Sequence, residues 1–493
     1  MSRPVPSSPA RQTPRVAIIG AGFSGIAAAV ALHRKGIDDY VVFEQADGVG
    51  GTWWYNRYPG AEVDLESHIY SFSFARADWT RTHAPWHELQ AYLDGVADTW
   101  DIKRHVKLGE KVDSITWDEE DRSYRVETTS GADHGSFHAV ISAVGFLNLP
   151  LLPPFARGET AFEGAICHTS RWIEGLDMTG KSVAVVGTGS SAVQIVAEAE
   201  RVASDVTIFQ LEPNWVLPKG DREFSAEERR QLRNPIRYKL RRWKLYADYD
   251  ARQVGASHAR RDGRFNRRRH ARSLQFLRES LADRPDLLEL VTPDFAFEGR
   301  RTVTTDTYYP ALKSPKVTLV PRAVKEITRT GVIDAAGDSH DFDVIVMATG
   351  FDASNYLGNY RVVGEGGRLL SDVWQGEPDA FLGLMVPGFP NFFMMYGPNT
   401  NGIPLVHFYE AQGAFAAGLI NRLRGGKRRV AVRKGAYERY NRWLQKRLRR
   451  TVWAETMSYF KSGTGKVVSQ WPASPTSYIL ATKLLRRIAT RVD

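Results

Sequence analysis

The chain has 493 residues, which exceeds the size of one ordinary hydrophobic core, so we expect two or three domains. Apolar residues make up 43% and charged residues 25%, as in soluble globular proteins. The single cysteine, Cys167, excludes an internal disulfide and a Cys-x-x-Cys redox centre and fits a reducing cytoplasm. The richest apolar stretch, residues 140–155, is too short and too interrupted by proline to span a membrane.

Much of the excess positive charge, a net +10, is concentrated in two stretches, residues 229–272 and 422–450. Such stretches permit contact with nucleic acid or with an anionic membrane. No nucleic-acid-binding signature accompanies them, so a solvated arginine-rich surface with an attraction for anionic cofactors is the favoured interpretation. We therefore expect no nucleic-acid partner.

The N-terminal part contains a dinucleotide-binding pattern. Residues 1–13, rich in proline and serine, predict a disordered tail. A buried strand, Val16–Ile19, then leads into the loop Gly20-x-Gly22-x-x-Gly25 and a helix over residues 26–33. The next strand, Tyr40–Phe43, ends at Glu44, at the distance from the loop that the dinucleotide fingerprint requires.

The chemistry of this pattern explains its residue types. The three glycines would provide a tight turn, close approach of the backbone to a pyrophosphate, and close packing of helix on strand. The N-terminus of the helix would face the phosphates. The Glu44 carboxylate would accept hydrogen bonds from ribose hydroxyls.

The same unit recurs later in the chain. A predicted strand over residues 182–186 leads into the loop Gly187-Thr-Gly-Ser-Ser191, a helix over 193–203 and a second strand over 205–209. Residues 220 to 295 then read as helices that bear arginine and leucine. The sequence therefore predicts two dinucleotide sites on one chain.

Three further motifs indicate which family of dinucleotide-binding proteins the chain resembles. They are the segment Gly50-Gly-Thr-Trp-Trp with Tyr58-Pro-Gly and Asp64, the pattern Phe162-x-Gly164-x-x-x-His168-x-x-x-Trp172, and Arg300-Arg301 before Tyr308-Tyr-Pro-Ala-Leu312. Together they resemble the type I Baeyer–Villiger monooxygenases. Residues 391–401 resemble the hydroxyacetophenone monooxygenase branch of that family.

The resemblance implies an α/β fold with two Rossmann-like domains, in which the NAD(P) domain is inserted into the FAD domain. The implied limits are 14–150 and 346–493 for the FAD domain and 151–345 for the NAD(P) domain. A helical insertion at about 220–295 would belong to the NAD(P) domain.

The resemblance also implies a reaction. NAD(P)H would reduce FAD, O2 would form a C4a-peroxyflavin, and one oxygen atom would be inserted beside the carbonyl of a small ketone to give an ester or lactone. The implied catalytic residues are Arg301 and Asp64, whose carboxylate would accept a hydrogen bond from the Arg301 guanidinium. A guanidinium stays charged at any working pH and offers planar donors to the peroxide and to the oxyanion.

The predicted cofactor-binding residues come from the two loops, the strands after them and the family motifs. They are Gly20, Gly22, Phe23, Ser24, Gly25, Glu44, Gly51, Thr52, Trp53, Trp54, Asp64, Tyr70, Val112, Gly187, Thr188, Gly189, Ser190, Ser191, Gln194, Glu212, Arg300 and Arg301. His168 and Trp172 are predicted linker residues, and His168 would act on domain movement rather than as a proton donor. No metal site is predicted.

The chain departs from the family pattern at the second site. Leu211 and Glu212 stand where the family commonly has an arginine that meets the 2′-phosphate of NADPH. The carboxylate would repel a phosphate and accept a hydrogen bond from a ribose hydroxyl. Acceptance of NADH beside NADPH is therefore predicted, although Arg300 remains available to the phosphate from the other side.

Three alternatives remain open at this stage. A flavin-dependent S- or N-oxygenase would use the same machinery with a protonated hydroperoxide. A disulfide reductase shares the paired nucleotide loops, but the lone Cys167 argues against it. A non-catalytic basic binding protein that keeps the flavoprotein fold is the third. The sequence does not predict the oligomeric state or the particular ketone.

Overall fold

The computed structural model describes residues 13–157, 161–358, 360–424 and 428–493. The predicted disordered tail, residues 1–13, lies outside the described residues except for residue 13.

The strands are short and are numbered in chain order. Their bounds are β1 Val16–Ile19, β2 Tyr40–Phe43, β3 Val106–Lys107, β4 Val112–Asp118, β5 Ser123–Thr128, β6 Ser136–Phe137, β7 Ala139–Ser142, β8 Ala165–His168, β9 Ser182–Val186, β10 Asp205–Phe209, β11 Val216–Leu217, β12 Val303–Thr304, β13 Val317–Val320, β14 Val324–Ile327, β15 Gly331–Asp334, β16 Ser339–Asp341, β17 Val344–Met347, β18 Arg361–Val363, β19 Phe392–Met394, β20 Val430–Val432 and β21 Thr490–Val492.

The α-helices are α1 Phe23–His33, α2 Thr52–Tyr55, α3 Trp86–Thr99, α4 Ser190–Val202, α5 Ala226–Leu232, α6 Pro235–Gln253, α7 Arg264–Ser280, α8 Pro285–Leu290, α9 Tyr308–Leu312, α10 Leu370–Trp374, α11 Leu405–Ile420, α12 Lys434–Leu448, α13 Val452–Glu455 and α14 Pro475–Ile488. Among the helices of the described ranges, none is long and apolar enough to cross a membrane.

The first parallel sheet is built from both ends of the chain. Its order is β19-β7-β1-β2-β3, and every neighbouring pair is parallel. The residues of β1 and β7 are all buried, as expected for strands covered on both faces. The start of β19 lies 250 positions after the end of β7, so a whole second unit separates the two parts of this sheet.

The second parallel sheet lies within that intervening chain. Its order is β13-β10-β9-β17-β8, again with parallel neighbours throughout. In each sheet a glycine loop joins a central strand, β1 or β9, to the following helix. The predicted fold class, two Rossmann-like units with the second inserted into the first, is confirmed. Helices α5 to α8 lie between β11 and β12 of the inserted part.

The hydrophobic cores follow the same division. The larger core joins residues of 16–146 to residues of 353–489, and its centre is the contact of α1 with α11. A second core is formed within 167–348, and Tyr58 and Ala61 of the first part also belong to it. The two units therefore share packing near residue 60.

The contact between α1 and α11 depends on a glycine. A Cβ at Gly413 would lie 2.9 Å from the carbonyl oxygen of Ala27. We expect Gly413→Ala to lower the free energy of unfolding by about 1–3 kcal/mol, since a tightly packed helix pair would have to separate. Urea denaturation would measure the change.

The matched control is Gly95→Ala on α3, where an added Cβ meets nothing within 4 Å. It should raise the unfolding free energy by up to about 1 kcal/mol, the helix propensity of alanine over glycine. Equal effects from both substitutions would contradict the packing argument.

Candidate active site

Two glycine-rich segments meet at the end of the first sheet. Gly20 has φ of +101°, and a Cβ there would lie 2.8 Å from the carbonyl oxygen of Ala143. A Cβ at Gly51 would lie 2.8 Å from the Cα of Gly22. A Cβ at Gly25 would lie 1.9 Å from the oxygen of Gly20, so α1 packs directly on its own loop. Glycine is thus required by backbone contact at each of these positions.

These segments form the floor of a cleft with an empty volume of about 1020 Å³, which is open to solvent. The cleft also lies where open α/β sheets bind ligands, outside the carboxyl ends of the strands. It brings together nine predicted residues: Gly20, Gly22, Phe23, Ser24, Glu44, Gly51, Thr52, Tyr70 and Val112.

Glu44 is fixed at one side of the cleft. Its carboxylate is buried and accepts hydrogen bonds from the backbone N–H groups of Ala21 (2.7 Å) and Ala46 (2.9 Å). Burial raises the pKa of Glu44, and these backbone hydrogen bonds only partly offset the increase. The carboxylate is therefore oriented by the backbone of the glycine loop itself.

The two predicted tryptophans support the cleft from outside its lining. The Trp53 indole is buried and donates a hydrogen bond to the Tyr70 hydroxyl at 3.2 Å. The Trp54 ring covers Gly48 so closely that a Cβ there would lie 2.0 Å from it. The Arg57 guanidinium stacks on the same ring at 4.0 Å. The structure thus gives both rings packing roles beside the cleft.

Asp64 and Arg301 form an ion pair between the first part of the chain and the inserted part. Their side chains are 21% and 35% exposed, so both charges are partly withdrawn from water while the guanidinium keeps one accessible side. Burial acts to raise the pKa of Asp64, but the Arg301 charge lowers it overall. The Asp64 charge in turn raises the pKa of Arg301. Both groups are charged at neutral pH.

Two neighbours of this pair were missed by the sequence analysis. The Lys219 ammonium is buried 2.6 Å from Glu62 and contributes to the lowered pKa of Asp64. Tyr459 lies beside Arg301, whose charge partly offsets the increase that burial causes in the pKa of this tyrosine. Both contacts join residues distant in sequence, so no local pattern signals them.

The second glycine loop has the same construction as the first. Gly187 has φ of +119°, and a Cβ there would lie 2.6 Å from the oxygen of Ala348. Helix α4 begins at Ser190, and the Thr188 hydroxyl donates to the backbone oxygen of Glu212 at 2.7 Å. Gly189 has open space where its side chain would be.

Glu212 and Arg300 face each other beside this loop and form an ion pair. The Glu212 side chain is 48% exposed and the Arg300 side chain 26%. The Arg300 Nε also donates to the backbone oxygen of Met457 at 3.0 Å. The carboxylate and the guanidinium therefore balance each other's charge at this position.

Gln194 and Ser191 of α4 contact the first part of the chain. The Tyr58 hydroxyl lies 2.7 Å from the Gln194 Oε1 and 3.1 Å from the Ser191 Oγ. The Gln194 Nε2 donates to the backbone oxygen of Glu62 at 3.0 Å. The side chain of Gln194 thus connects the two units.

The side chain of His168, at the end of β8, hydrogen-bonds to the segment that follows β17. Its Nδ1 accepts from the backbone N–H of Ser170 (3.1 Å), so the proton belongs on Nε2, which donates to the Gly350 oxygen (3.1 Å). Burial lowers the pKa of His168 to about 4. Trp172 is half-buried and packs against the second core.

Comparison with known proteins now identifies the family. The family model described as pyridine nucleotide-disulphide oxidoreductase matches residues 17–258. A Baeyer–Villiger monooxygenase of Pseudomonas aeruginosa is 35% identical over 479 residues, which are 95% of this chain and 89% of that protein. The chain belongs to the Baeyer–Villiger monooxygenases.

Solved structures agree with this assignment. The OTEMO complex with FAD and NADP has a TM-score of 0.87 and 26% identity, and the match covers 98% of this chain and 100% of that one. Cyclohexanone monooxygenase from a Rhodococcus species, bound to NADP⁺, has a TM-score of 0.86, 26% identity and the same two coverages.

The neutral state of His168 predicts a pH dependence of stability. Between about pH 6.5, the ordinary pKa of histidine, and about pH 4, the unfolded chain binds a proton that the folded chain does not. The unfolding free energy should therefore decrease as the pH is lowered, and His168 should contribute about 2 kcal/mol of that loss between pH 7.5 and pH 5. Urea unfolding of the wild type and of His168→Gln at both pH values measures this contribution.

In His168→Gln the loss between the two pH values should be smaller by that amount. The control is His87→Gln at an exposed histidine, which should leave the pH dependence unchanged. An identical pH dependence in wild type and His168→Gln would show that His168 is not held neutral.

Proposed function

We propose that this chain is an FAD-dependent Baeyer–Villiger monooxygenase. It converts a ketone, O2, NAD(P)H and a proton into an ester or lactone, NAD(P)⁺ and water. The observation that carries the proposal is the Asp64–Arg301 ion pair next to the cleft of a chain in this family. Among the residues that the structure describes, no contact favours the S- or N-oxygenase.

The residues of the cleft fit FAD. The glycine contacts leave room for a pyrophosphate against the N-terminus of α1, where unpaired backbone N–H groups face it. Glu44 keeps acceptor capacity for a ribose hydroxyl, because a carboxylate has about four acceptor sites and the backbone N–H groups of Ala21, Ala46 and Gln45 occupy at most three. When bound and reduced by NAD(P)H, FAD supplies the electrons that activate O2.

Arg301 would stabilise negative charge during oxygen transfer. Attack on the carbonyl carbon of a ketone places negative charge on the carbonyl oxygen, and a guanidinium with one accessible side can donate hydrogen bonds to that oxygen. Asp64 holds the other side of the guanidinium and fixes its orientation. Tyr70, which lines the cleft, lies close enough that the Asp64 charge raises its pKa and the Arg301 charge lowers it.

The second loop would hold NAD(P)H. The pyrophosphate would meet the N-terminus of α4, and Thr188 and Ser190 would lie at its side. Glu212 and Arg300 would face the adenosine ribose. Because Arg300 and Glu212 lie together, either cofactor would find a partner there. Glu212 would accept a hydrogen bond from a 2′-hydroxyl, and Arg300 would donate to a 2′-phosphate.

The domain limits at residues 150, 345 and 346 belong to the same proposal, with the second limit moved to the end of β17 at residue 347, because residues 344–347 all pair with β9 in the second sheet. His168 and Trp172 are the proposed linker residues. The hydrogen bond of His168 to Gly350 supports a role in domain movement, since it joins the end of β8, the first strand of the inserted part, to the segment that follows β17, the last strand of its sheet. A cytoplasmic location is also proposed, because the reaction consumes NAD(P)H.

The direct test is a product assay under ¹⁸O2. Purified protein with FAD and either NADPH or NADH should convert a panel of cyclic, linear and aryl ketones into esters or lactones that carry one ¹⁸O atom. Arg301→Lys should lower ester formation by roughly 10²–10³-fold while NAD(P)H oxidation continues, because a preorganised donor to the oxyanion is lost. Mass spectrometry and nicotinamide absorbance follow the two activities.

Arg329→Ala, at an arginine that is 68% exposed and forms its ion pair with Glu163, is the control and should retain full activity. A thioether in the same panel separates the alternatives. Labelled sulfoxide with no ester from any ketone would replace this proposal with the heteroatom oxygenase, and purified protein that binds no flavin would indicate a binding protein.

Cofactor choice gives a second test. Glu212→Thr with Leu211→Arg should raise the ratio of kcat/KM for NADPH over that for NADH about tenfold, which corresponds to about 1.4 kcal/mol from a new cation and a lost carboxylate. Glu212→Gln alone should raise the ratio in the same direction, since it frees Arg300. Arg300→Ala should lower it. An unchanged ratio in all three variants would contradict the assignment of this position.

A further inference from the structure

The N-terminal half of α6 exposes an apolar stripe. Ile236, Leu240 and Trp243 have 68%, 60% and 69% of their surface exposed. Their spacing of four and three residues places them on one face of the helix. Large apolar side chains in such a row are normally buried, so we expect this face to be an interaction surface.

The opposite face of the same helix is firmly attached. Tyr238 and Arg242 are buried, and the Arg242 guanidinium donates to the backbone oxygen of His68, to the Ser71 hydroxyl at 2.7 Å and to the Ser71 oxygen at 3.1 Å. The Asn234 side chain caps the helix by accepting from the N–H of Ile236 at 2.9 Å. The stripe is therefore held outward on a fixed helix.

Cations flank the stripe on both sides. At 100° per residue, Lys239 lies on one side of it and Arg237 and Lys244 on the other. Over the described parts of the chain, no carboxylate forms an ion pair with these three residues. No acidic residue occurs between residues 235 and 247, and the first on the helix, Asp248, pairs with Arg252.

We propose that this face of α6 docks the protein on the surface of an anionic lipid bilayer. Trp243, Leu240 and Ile236 enter the boundary between headgroups and acyl chains, and the flanking cations meet the anionic headgroups, which is the pattern of interfacial helices. A second copy of this chain would bring equal cations together on a symmetric face. Nucleic acid would offer the aliphatic Ile236 and Leu240 nothing to stack on.

The neighbouring helix α14 has the same pattern. It exposes Leu480, Leu484 and Ile488 beside Lys483 and Arg487, and its sequence contains no acid. Contacts between Tyr246 and Thr476 at 2.9 Å join the two helices. The same combination of exposed apolar residues and cations therefore recurs on a helix that contacts α6, although α6 carries the tryptophan.

The experiment is co-sedimentation of the full-length protein with vesicles of phosphatidylcholine alone and of phosphatidylcholine with 30% phosphatidylglycerol. Binding is expected to the second composition only. Arg237→Gln with Lys239→Gln and Lys244→Gln should lower the partition coefficient roughly 100-fold, since each cation near an anionic surface contributes about 1 kcal/mol. Leu240→Ser with Trp243→Ser should lower it roughly 10-fold or more.

The matched control removes three exposed cations from α7, by Arg264→Gln with Arg267→Gln and Arg268→Gln. It has the same net charge as the α6 triple variant and should bind like the wild type. Equal loss in both triple variants, or full binding by the serine variant, would overturn the proposal in favour of non-specific attraction.

Two further results would overturn it. No binding to the anionic vesicles, with binding of a single-stranded oligonucleotide that the α6 variants lose, would assign the face to nucleic acid. A dimer in light scattering that the serine variant converts to monomer would assign it to a second copy. The variants change exposed side chains, and thermal melting checks that each remains folded.

Discussion

The ion pair between Asp64 and Arg301 connects parts of the chain that are 237 residues apart. Asp64 ends the segment that begins with the cleft glycines, and Arg301 precedes α9, which packs on α4 of the second unit. Two partly buried charges are stable only together, because either one alone would remain without compensation. The pair therefore fixes the position of the cleft wall relative to the second unit, and the contacts of Tyr58 and Gln194 repeat the connection nearby.

The glycines of the first loop and of the segment after β2 explain why backbone groups face the cleft. At Gly22 and Gly51 the backbones touch, so the floor presents N–H groups rather than side chains. Glu44 is held by two such N–H groups, which places one carboxylate among otherwise neutral donors. The larger aromatic residues, Trp53 and Trp54, pack behind this floor instead of filling it. The cleft is thus shaped by backbone and supported by side chains.

The sequence predicted the parts of this arrangement that are local. The bounds of β1, β2, β9 and β10 match their predicted ranges, because these mainly apolar runs end at a glycine loop in β1 and β9 and at a polar residue, Glu44 or Gln210, in β2 and β10. Both Rossmann helices begin three residues earlier than expected, since the loop residues themselves form the first helical turn. Lys219 and Tyr459 beside the Asp64–Arg301 pair could not be predicted, because their proximity arises only from tertiary packing.

The ion pair of Arg300 with Glu212 changes how the departure from the family pattern at Leu211 and Glu212 is interpreted. From sequence, the carboxylate at 212 adds negative charge beside the second loop, whereas in the structure a guanidinium neutralises it. An ion pair with a half-exposed carboxylate contributes about 0–1 kcal/mol, while a charge-assisted hydrogen bond to phosphate contributes about 1.5–3 kcal/mol. Arg300 would therefore leave Glu212 for a 2′-phosphate, and Glu212 would serve a 2′-hydroxyl when no phosphate is present. Such an exchange of partners would allow one site to accept both nicotinamide cofactors, with the preference set by the difference between two small free energies.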